Sequence, residues 1–228
     1  DIHKILSNIP GVNFRPEEGY GLRPNMSIRG TYADRSGKVT LLEDGILIAP
    51  APYAASSAYY FPTVGRISGV EVLKGPSAIS QGPYTIGGAI NLLSTPIPSE
   101  TGGMLNQEFG EDSTIRTHLI LGAVGKNGAF SIESHTWETN GFDFIKVSSD
   151  NTGFDKDDVV IKFRLNSDKD EDRIYHELNF KYQDSDEISD QSYVGLSDDD
   201  FRIDPHARYG LTAYDEMDNK HEQWSVNY

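Results

Sequence analysis

Carboxylates are the side chains in this sequence whose types and spacing come closest to a chemical site. Eight of them crowd residues 184–204, namely Asp184, Asp186, Glu187, Asp190, Asp198, Asp199, Asp200 and Asp204. Oxygen-rich clusters of this kind suit hard divalent cations such as Ca²⁺. Because no Asp-x-Asp-x-Asp-Gly loop occurs, the sequence favours a solvated acidic loop over a dedicated metal site.

Motifs for catalysis and for cofactor binding do not occur in the sequence. There is no cysteine, which excludes disulfides, thiolate metal ligands and thiol nucleophiles. The six histidines form no His-Glu-x-x-His pair, and neither a Gly-x-Ser-x-Gly elbow nor a phosphate-binding glycine loop is found. The sequence therefore predicts no enzyme, no resident cofactor and no metal site.

Charge is distributed unevenly along the chain. The 228 residues carry a net charge of -15, which argues against a nucleic-acid partner because phosphate backbones are repelled. Residues 1–98 hold eight basic and seven acidic side chains, whereas residues 99–228 hold 12 basic and 28 acidic ones. We therefore expect two domains, at residues 1–98 and 99–228.

The first domain shows the pattern of a small α+β fold. An apolar stripe follows Asp1 and ends at Pro10, which predicts a short helix, and short β-prone runs follow between Gly- and Pro-rich connections. Two uncharged stretches, 45–65 and 75–99, are long enough to cross a membrane as helices. Their prolines exclude such helices, so contact with a bilayer would require a β-barrel.

The second domain alternates apolar and polar residues with a period of two. Strands are predicted at about 102–110, 114–123, 129–137, 157–166, 172–183 and 221–228. Short connections at 124–128 and 167–171 alternate with long polar ones at 138–156 and 184–220, as in outer-membrane barrels. Aromatic residues near the strand ends suggest an interfacial girdle: Trp137, Tyr175, Tyr182, Trp224 and Tyr228. A soluble antiparallel sheet would show the same period and stays open as the alternative.

Several motifs in the first domain resemble one known family. Residues 70–78 (VEVLKGPSA) and 87–92 (GGAINL) resemble the signature of the plug domain of TonB-dependent outer-membrane transporters. Residues 27–30 (SIRG) and 42–45 (LEDG) are similar to the two motifs that precede it, in the same order. Shorter runs at 51–53, 193–197 and 199–201 resemble the ferric citrate transporter branch.

The resemblance implies an α+β plug domain followed by the first six or so strands of a plugged transmembrane β-barrel of about 22 strands. It also implies a Gram-negative outer-membrane location and contact with lipid and lipopolysaccharide. TonB would bind a segment upstream of Asp1. By resemblance, Arg29 and Lys74 would pair with barrel glutamates and lock the plug, with two ordinary solvated cations as the alternative. The plug glycines of the motifs are Gly30, Gly75, Gly82, Gly87 and Gly88, for which a simple turn-forming role is the alternative.

The resemblance further implies that a metal chelate, such as a ferric siderophore or a ferric citrate-like complex, is the transported ligand. Plug loops at 15–25 and 50–61 would contact it. The expected ligand-binding residues are Arg15, Arg23, Asn25, Tyr53, Ser56, Tyr59 and Tyr60. Arginine binds chelate oxygens as a fork and tyrosine offers a flat face with one polar end. The second loop is uncharged, which argues against citrate itself. A non-iron cargo (carbohydrate, cobalamin or a nickel chelate), a non-transporting adhesin, and tyrosines that only pack against the barrel wall remain alternatives.

Overall fold

The computed structural model describes residues 2–15, 20–48, 57, 59–167, 174–190 and 194–228. The chain divides into two compact units, residues 1–96 and 97–228, close to the division at residue 98 that the charge distribution predicts. Each unit is described by itself.

The first unit combines a short helix with six short strands, in line with the predicted α+β pattern. The elements are α1 (Ile2–Leu6), β1 (Val12–Arg15), β2 (Asn25–Ile28), β3 (Val39–Glu43), β4 (Ile46–Leu47), β5 (Ile67–Lys74) and β6 (Gly88–Ser94). β1 and β2 form an antiparallel pair, and the other four strands form a sheet in the order β4-β3-β6-β5. β3 runs parallel to β6, whereas the other neighbours in this sheet are antiparallel.

Helix α1 and both sheets bury their apolar side chains in a common core. Its buried members are Ile2, Leu6, Val12, Met26, Ile28, Val39, Leu41, Ile48, Tyr60, Phe61, Ile90 and Leu92. Short 3₁₀ turns at Asp34–Ser36, Val64–Arg66 and Pro76–Gln81 connect the strands around this core. The first unit therefore has its own hydrophobic core.

Asp44 and Gly45 form a tight turn between β3 and β4. Both have positive φ, 52° and 80°, as a two-residue hairpin turn of the primed type requires. The Asp44 carboxylate accepts hydrogen bonds from the backbone N–H and the hydroxyl of Ser94, at 2.9 and 2.5 Å. The Gly45 N–H donates to Oδ1 of Asn91 at 2.9 Å. The turn is thus fixed to the end of β6.

The plug-motif glycines occupy positions that a side chain would disturb. Gly30, Gly75, Gly82 and Gly88 have positive φ, and at Gly87 a Cβ would lie 2.9 Å from the Thr31 hydroxyl. The tightest site is Gly88, where φ is 145° and a Cβ would lie 2.3 Å from the carbonyl oxygen of Leu73 on the partner strand. At this position a close backbone approach, as well as the turn geometry, requires glycine.

The second unit is built on one antiparallel sheet of six strands, in the order β14-β12-β11-β9-β8-β7. Its strands are β7 (Gly102–Phe109), β8 (Ile115–Val124), β9 (Gly128–Thr139), β11 (Phe154–Asn166), β12 (Glu177–Asp190) and β14 (Glu216–Asn227). Two-residue strands β10 (Phe144–Ile145) and β13 (Ala207–Arg208) pair in parallel and join the two long loops. Helix α2 (Asp198–Ile203) and a 3₁₀ turn (Gly210–Tyr214) complete the second loop.

All six predicted strands are present, but the predicted boundaries at the long loops are wrong. β12 continues to Asp190, so Asp184, Asp186, Glu187 and Asp190 lie in a strand and not in the acidic loop. The strand continues because the alternation does, with polar members. Its buried positions here are Gln183, Ser185, Glu187 and Ser189. The two long loops shorten accordingly, to residues 140–153 and 191–215.

Cross-strand register gives the six-stranded sheet two unlike faces. One face carries exposed apolar residues, including Leu121, Ile132, Phe163, Trp224 and Val226. The opposite face carries a polar row, one residue from each strand: Asn106, His118, His135, Asp158, Ser185 and His221. On that polar face Nε2 of His118 lies 2.6 Å from Oε1 of Glu133, and Nζ of Lys156 donates to Glu187 at 2.9 Å.

The predicted aromatic girdle divides between these faces. Tyr182 and Trp224 are register partners and share the face that carries the apolar residues. Trp137 lies on the polar face, where the guanidinium of Arg116 stacks 4.0 Å from its ring centroid. The expected girdle position of Trp137 is therefore wrong, because residue 137 falls on the other phase of the period of two.

Among the described residues, no helix is both long enough and apolar enough to cross a membrane.

The contact at Gly88 predicts unequal losses of unfolding free energy for two alanine substitutions. Gly30 also has positive φ, but no atom lies within 4 Å of the position that a new Cβ would occupy. Gly30→Ala should therefore lower the free energy of unfolding by about 1–2 kcal/mol. Gly88→Ala should cost about 2–4 kcal/mol, since a clash with Leu73 O is added. Chemical denaturation of the detergent-purified protein measures both, and equal costs would contradict the close approach.

Candidate functional site

Two of the segments predicted to bind ligand are joined by buried hydroxyls in the first unit. Oγ of Ser57 lies 2.7 Å from the carbonyl oxygen of Pro24 and 3.1 Å from Oγ of Ser36. The Ser36 hydroxyl donates to the same carbonyl at 2.8 Å and accepts from the N–H of Met26 at 2.9 Å. Both serines are buried. The structure therefore brings Pro24, near the end of the 15–25 segment, together with Ser57 of the 50–61 segment.

The predicted ligand-binding residues of the first segment occupy different environments. Arg15 is exposed at the end of β1 and is the register partner of Asn25. Arg23 and Asn25 are buried, and Oδ1 of Asn25 accepts a hydrogen bond from the backbone N–H of Arg35 at 2.5 Å. Asn25 thus holds the 3₁₀ turn that contains Ser36. A ligand role for these three residues stays a prediction.

The second segment divides in the same way between buried and exposed side chains. Tyr60 is buried in the core, and its hydroxyl accepts a hydrogen bond from Nη2 of Arg66 at 2.9 Å. Tyr59, its neighbour, is 44% exposed. Tyr53 and Ser56 lie outside the described residues. Tyr59 is therefore the one predicted tyrosine of this segment that the structure describes as accessible.

Arg66, the hydrogen-bond donor to Tyr60, belongs to a buried ion pair. Nη1 and Nη2 of Arg66 lie 2.6 and 3.1 Å from the two carboxylate oxygens of Glu43, the last residue of β3. The side chains are 0% and 1% exposed. The backbone carbonyl of Arg66 also accepts two hydrogen bonds at 3.0 Å from Thr95, one from its N–H and one from its hydroxyl. Arg66 thus links β3, Tyr60 and the segment that follows β6.

The two predicted lock cations come together at another place in the unit. Nζ of Lys74 donates to the carbonyl of Pro10 at 2.6 Å, and the Arg29 N–H donates to the carbonyl of Gly11 at 2.7 Å. Nη1 of Arg29 lies 3.5 Å from the point where a Cβ on Gly75 would stand. Both cations therefore lie around residues 10–11 and 75. Their pairing with barrel glutamates stays a prediction.

The long loops of the second unit hold each other through charged contacts. Arg208 and His206 contact the two carboxylate oxygens of Asp143 at 2.5 and 3.1 Å. Hydrogen bonds from the hydroxyls of Tyr209 and Ser197 lower the pKa of Asp200, and Lys146 adds to this effect. Within the described residues, no three histidine or carboxylate side chains are grouped as a metal ion would require.

Comparison with known proteins identifies the first unit. Residues 1–89 match the model of the TonB-dependent Receptor Plug Domain. The first unit is thus similar to the plug domain of TonB-dependent receptors. The predicted resemblance to this family and the predicted fold class, an α+β plug followed by antiparallel strands of a plugged barrel, are thereby confirmed. So is the predicted location, because receptors of this family are outer-membrane proteins of Gram-negative bacteria.

Two curated relatives are vitamin B12 transporters. The chain is 30% identical over 140 residues to the vitamin B12 transporter BtuB of Vibrio vulnificus (strain CMCP6), which covers 61% of the chain and 22% of that protein. It is 26% identical over 162 residues to BtuB of Photobacterium profundum, covering 70% of the chain and 26% of the relative. The chain thus spans about a quarter of these curated relatives.

Solved structures of two transport receptors share the fold. The unliganded ferric citrate transporter FecA superposes with a TM-score of 0.69 at 27% identity, covering 90% of this chain and 31% of that one. The ferric yersiniabactin uptake receptor FyuA of Yersinia pestis superposes with a TM-score of 0.65 at 20% identity, covering 83% of this chain and 29% of its own. The FyuA likeness concerns the fold alone.

The buried ion pair of the plug predicts a large loss of stability on Glu43→Ala. That change leaves the Arg66 guanidinium buried without its carboxylate, which costs about 3–5 kcal/mol. The control is Asp34→Ala, an exposed carboxylate of the same unit, with an expected cost within about 0.5 kcal/mol. Denaturation midpoints of the purified receptor compare the two, and similar midpoints would show that the pair contributes little.

Proposed function

We propose that the full-length receptor imports a metal chelate across the outer membrane by TonB-dependent active transport. The chelate would bind at plug loops and barrel loops, and TonB would then rearrange the plug through a segment upstream of Asp1. Lipid and lipopolysaccharide would surround the barrel strands. Transport, and not catalysis, is the proposed activity.

The observation that carries this proposal is the buried junction of Ser57 with Pro24 and Ser36. It joins Ser57 to Pro24, one residue from each of two plug segments whose sequences are rich in the residue types that bind chelates, and Tyr59, two residues after Ser57, is accessible. Tyrosine offers a flat apolar face with a hydroxyl at its edge, which suits a large chelate better than a small ion. An accessible aromatic side chain held by buried contacts is what an import receptor needs for binding its cargo.

A ferric siderophore and cobalamin are the two candidate cargoes within this class. The likeness to FecA favours an iron chelate, whereas the 30% identity to BtuB favours cobalamin, itself a cobalt chelate. The segment 50–61 contains no charged residue, so a small polyanion such as ferric citrate would gain little from it. A ferric siderophore and cobalamin both have a large organic surface, so both fit this segment better than ferric citrate does.

Uptake of labelled chelates tests the proposal. Cells that express the full-length receptor, with and without TonB, would be offered ⁵⁵Fe as citrate and as a siderophore panel, and ⁵⁷Co-labelled cobalamin. We expect saturable uptake of one chelate that disappears without TonB. Iron uptake would favour the siderophore reading and cobalt uptake the cobalamin reading. A receptor that reaches the outer membrane and takes up neither would contradict import of a metal chelate, and would favour another cargo or an adhesin.

The accessible tyrosine gives a site-directed form of the same test. Tyr59→Ala should weaken binding of the transported chelate about tenfold, because an aromatic contact worth 1–2 kcal/mol is lost. Tyr32→Ala, which removes a 70% exposed tyrosine elsewhere in the plug, is the control and should leave the affinity unchanged. Equal affinities of the two variants for the chelate would place the cargo contact away from Tyr59.

A further inference from the structure

The uncharged excursion between β3 and β5 is closed by opposite charges at its two ends. Glu43 is the last residue before the Asp44–Gly45 turn, and Arg66 ends the 3₁₀ turn that leads into β5. No residue from 45 to 65 is charged. The ion pair therefore fixes the distance between the two ends of this segment. No side chain within the segment can form an ion pair of its own, because none is charged.

The guanidinium of Arg66 also fixes the position of Tyr60. Its Nη2 carries two hydrogens, and two acceptors lie in reach, Oε2 of Glu43 at 3.1 Å and the Tyr60 hydroxyl at 2.9 Å. Since the guanidinium is planar and is held as a fork by Glu43, the direction of the second N–H of Nη2 is set. A lysine ammonium, a rotating point charge, would not impose this direction.

A second buried anchor lies three residues earlier, at Ser57. The Ser57 hydroxyl is hydrogen-bonded to the carbonyl of Pro24 and to the hydroxyl of Ser36. Both anchors, Ser57 and Tyr60, are buried. Three residues span at most about 10 Å, so the two anchors lie at the ends of a short frame of the chain. Tyr59 lies inside this short frame and is accessible.

We propose that Arg66, acting with Glu43 and Tyr60, is a positioning residue that presents Tyr59 to the chelate and so sets the affinity for it. This inference rests on the proposed function. Preorganisation of this kind raises affinity because the entropy of ordering the contact is not lost again on binding. Arg66, Glu43 and Tyr60 need not touch the chelate for this effect.

The first test compares Tyr60→Phe with Tyr32→Phe, the same change at an exposed position, in the full-length receptor. Binding of the chelate identified by uptake is measured on cells without TonB, and uptake on cells with TonB. Tyr60→Phe should raise Kd about five- to tenfold and leave the uptake rate at saturating chelate unchanged. A merely structural role would lower the amount of receptor in the membrane without changing Kd. A Kd within twofold of the Tyr32→Phe control would overturn the proposal.

A second measurement needs no chelate. It distinguishes failure of the anchoring by Arg66 from failure of the proposed function. This chain has no cysteine, so Tyr59→Cys introduces a single thiol into it. Any cysteine in the rest of the full-length receptor is first replaced by serine. Maleimide should label this thiol severalfold faster in the purified receptor when Tyr60→Phe or Arg66→Lys is added, and at the original rate when Tyr32→Phe is added. Equal rates in all backgrounds would refute the anchoring. If the unmodified receptor binds no chelate while these rates differ, the proposed function fails and the anchoring stands.

Discussion

The plug depends on one buried charge interaction, the fork between Arg66 and Glu43. Removing two charges from water is costly, and their attraction offsets this only when geometry is good and the remaining hydrogens find acceptors. Here the carboxylate accepts at both oxygens, the Tyr60 hydroxyl takes a further N–H, and Thr95 bonds to the Arg66 carbonyl. The pair thereby links β3, the loop that contains Tyr60 and the end of the first unit at Thr95. An apolar contact of the same size would link them with less directional precision.

The second unit follows a different constraint, the period of two along each strand. Once one face of the sheet is apolar, every side chain of the opposite phase must lie on the other face. That face is polar here, and its side chains pair with each other across strands, as Lys156 does with Glu187 and His118 with Glu133. The sheet thus keeps polar groups out of the apolar face without leaving these charges unpaired.

Alternation of apolar residues was enough to predict six strands, since Val159, Ile161 and Phe163 mark one face without ambiguity. It failed at the strand ends, because Gln183, Ser185 and Glu187 continue the same alternation with polar side chains that look like loop residues. Trp137 was misplaced for a related reason, since proximity to a strand end does not fix the face.

The site was less accessible to prediction from sequence. The motifs located Arg29, Lys74 and the glycines, because each lies in a short recognisable run. The contacts of Ser57 with Pro24 and Ser36 join residues 33 and 21 positions apart, for which no local pattern exists. Arg66 and Glu43 did leave a signal, since they are opposite charges that flank a long uncharged segment. Such a pair at the ends of an excursion indicates closure, although not which hydroxyl will share the guanidinium.

The parallel pairing of Phe144–Ile145 with Ala207–Arg208 has a consequence for engineering receptors of this kind. The loops at 140–153 and 191–215 are separate in sequence but share backbone hydrogen bonds and the Arg208–Asp143 ion pair. Exchanging one of them for the loop of a related receptor would leave the other with an unsatisfied strand edge and an orphaned charge. Chimeras should therefore transplant both loops together, as a single folded module.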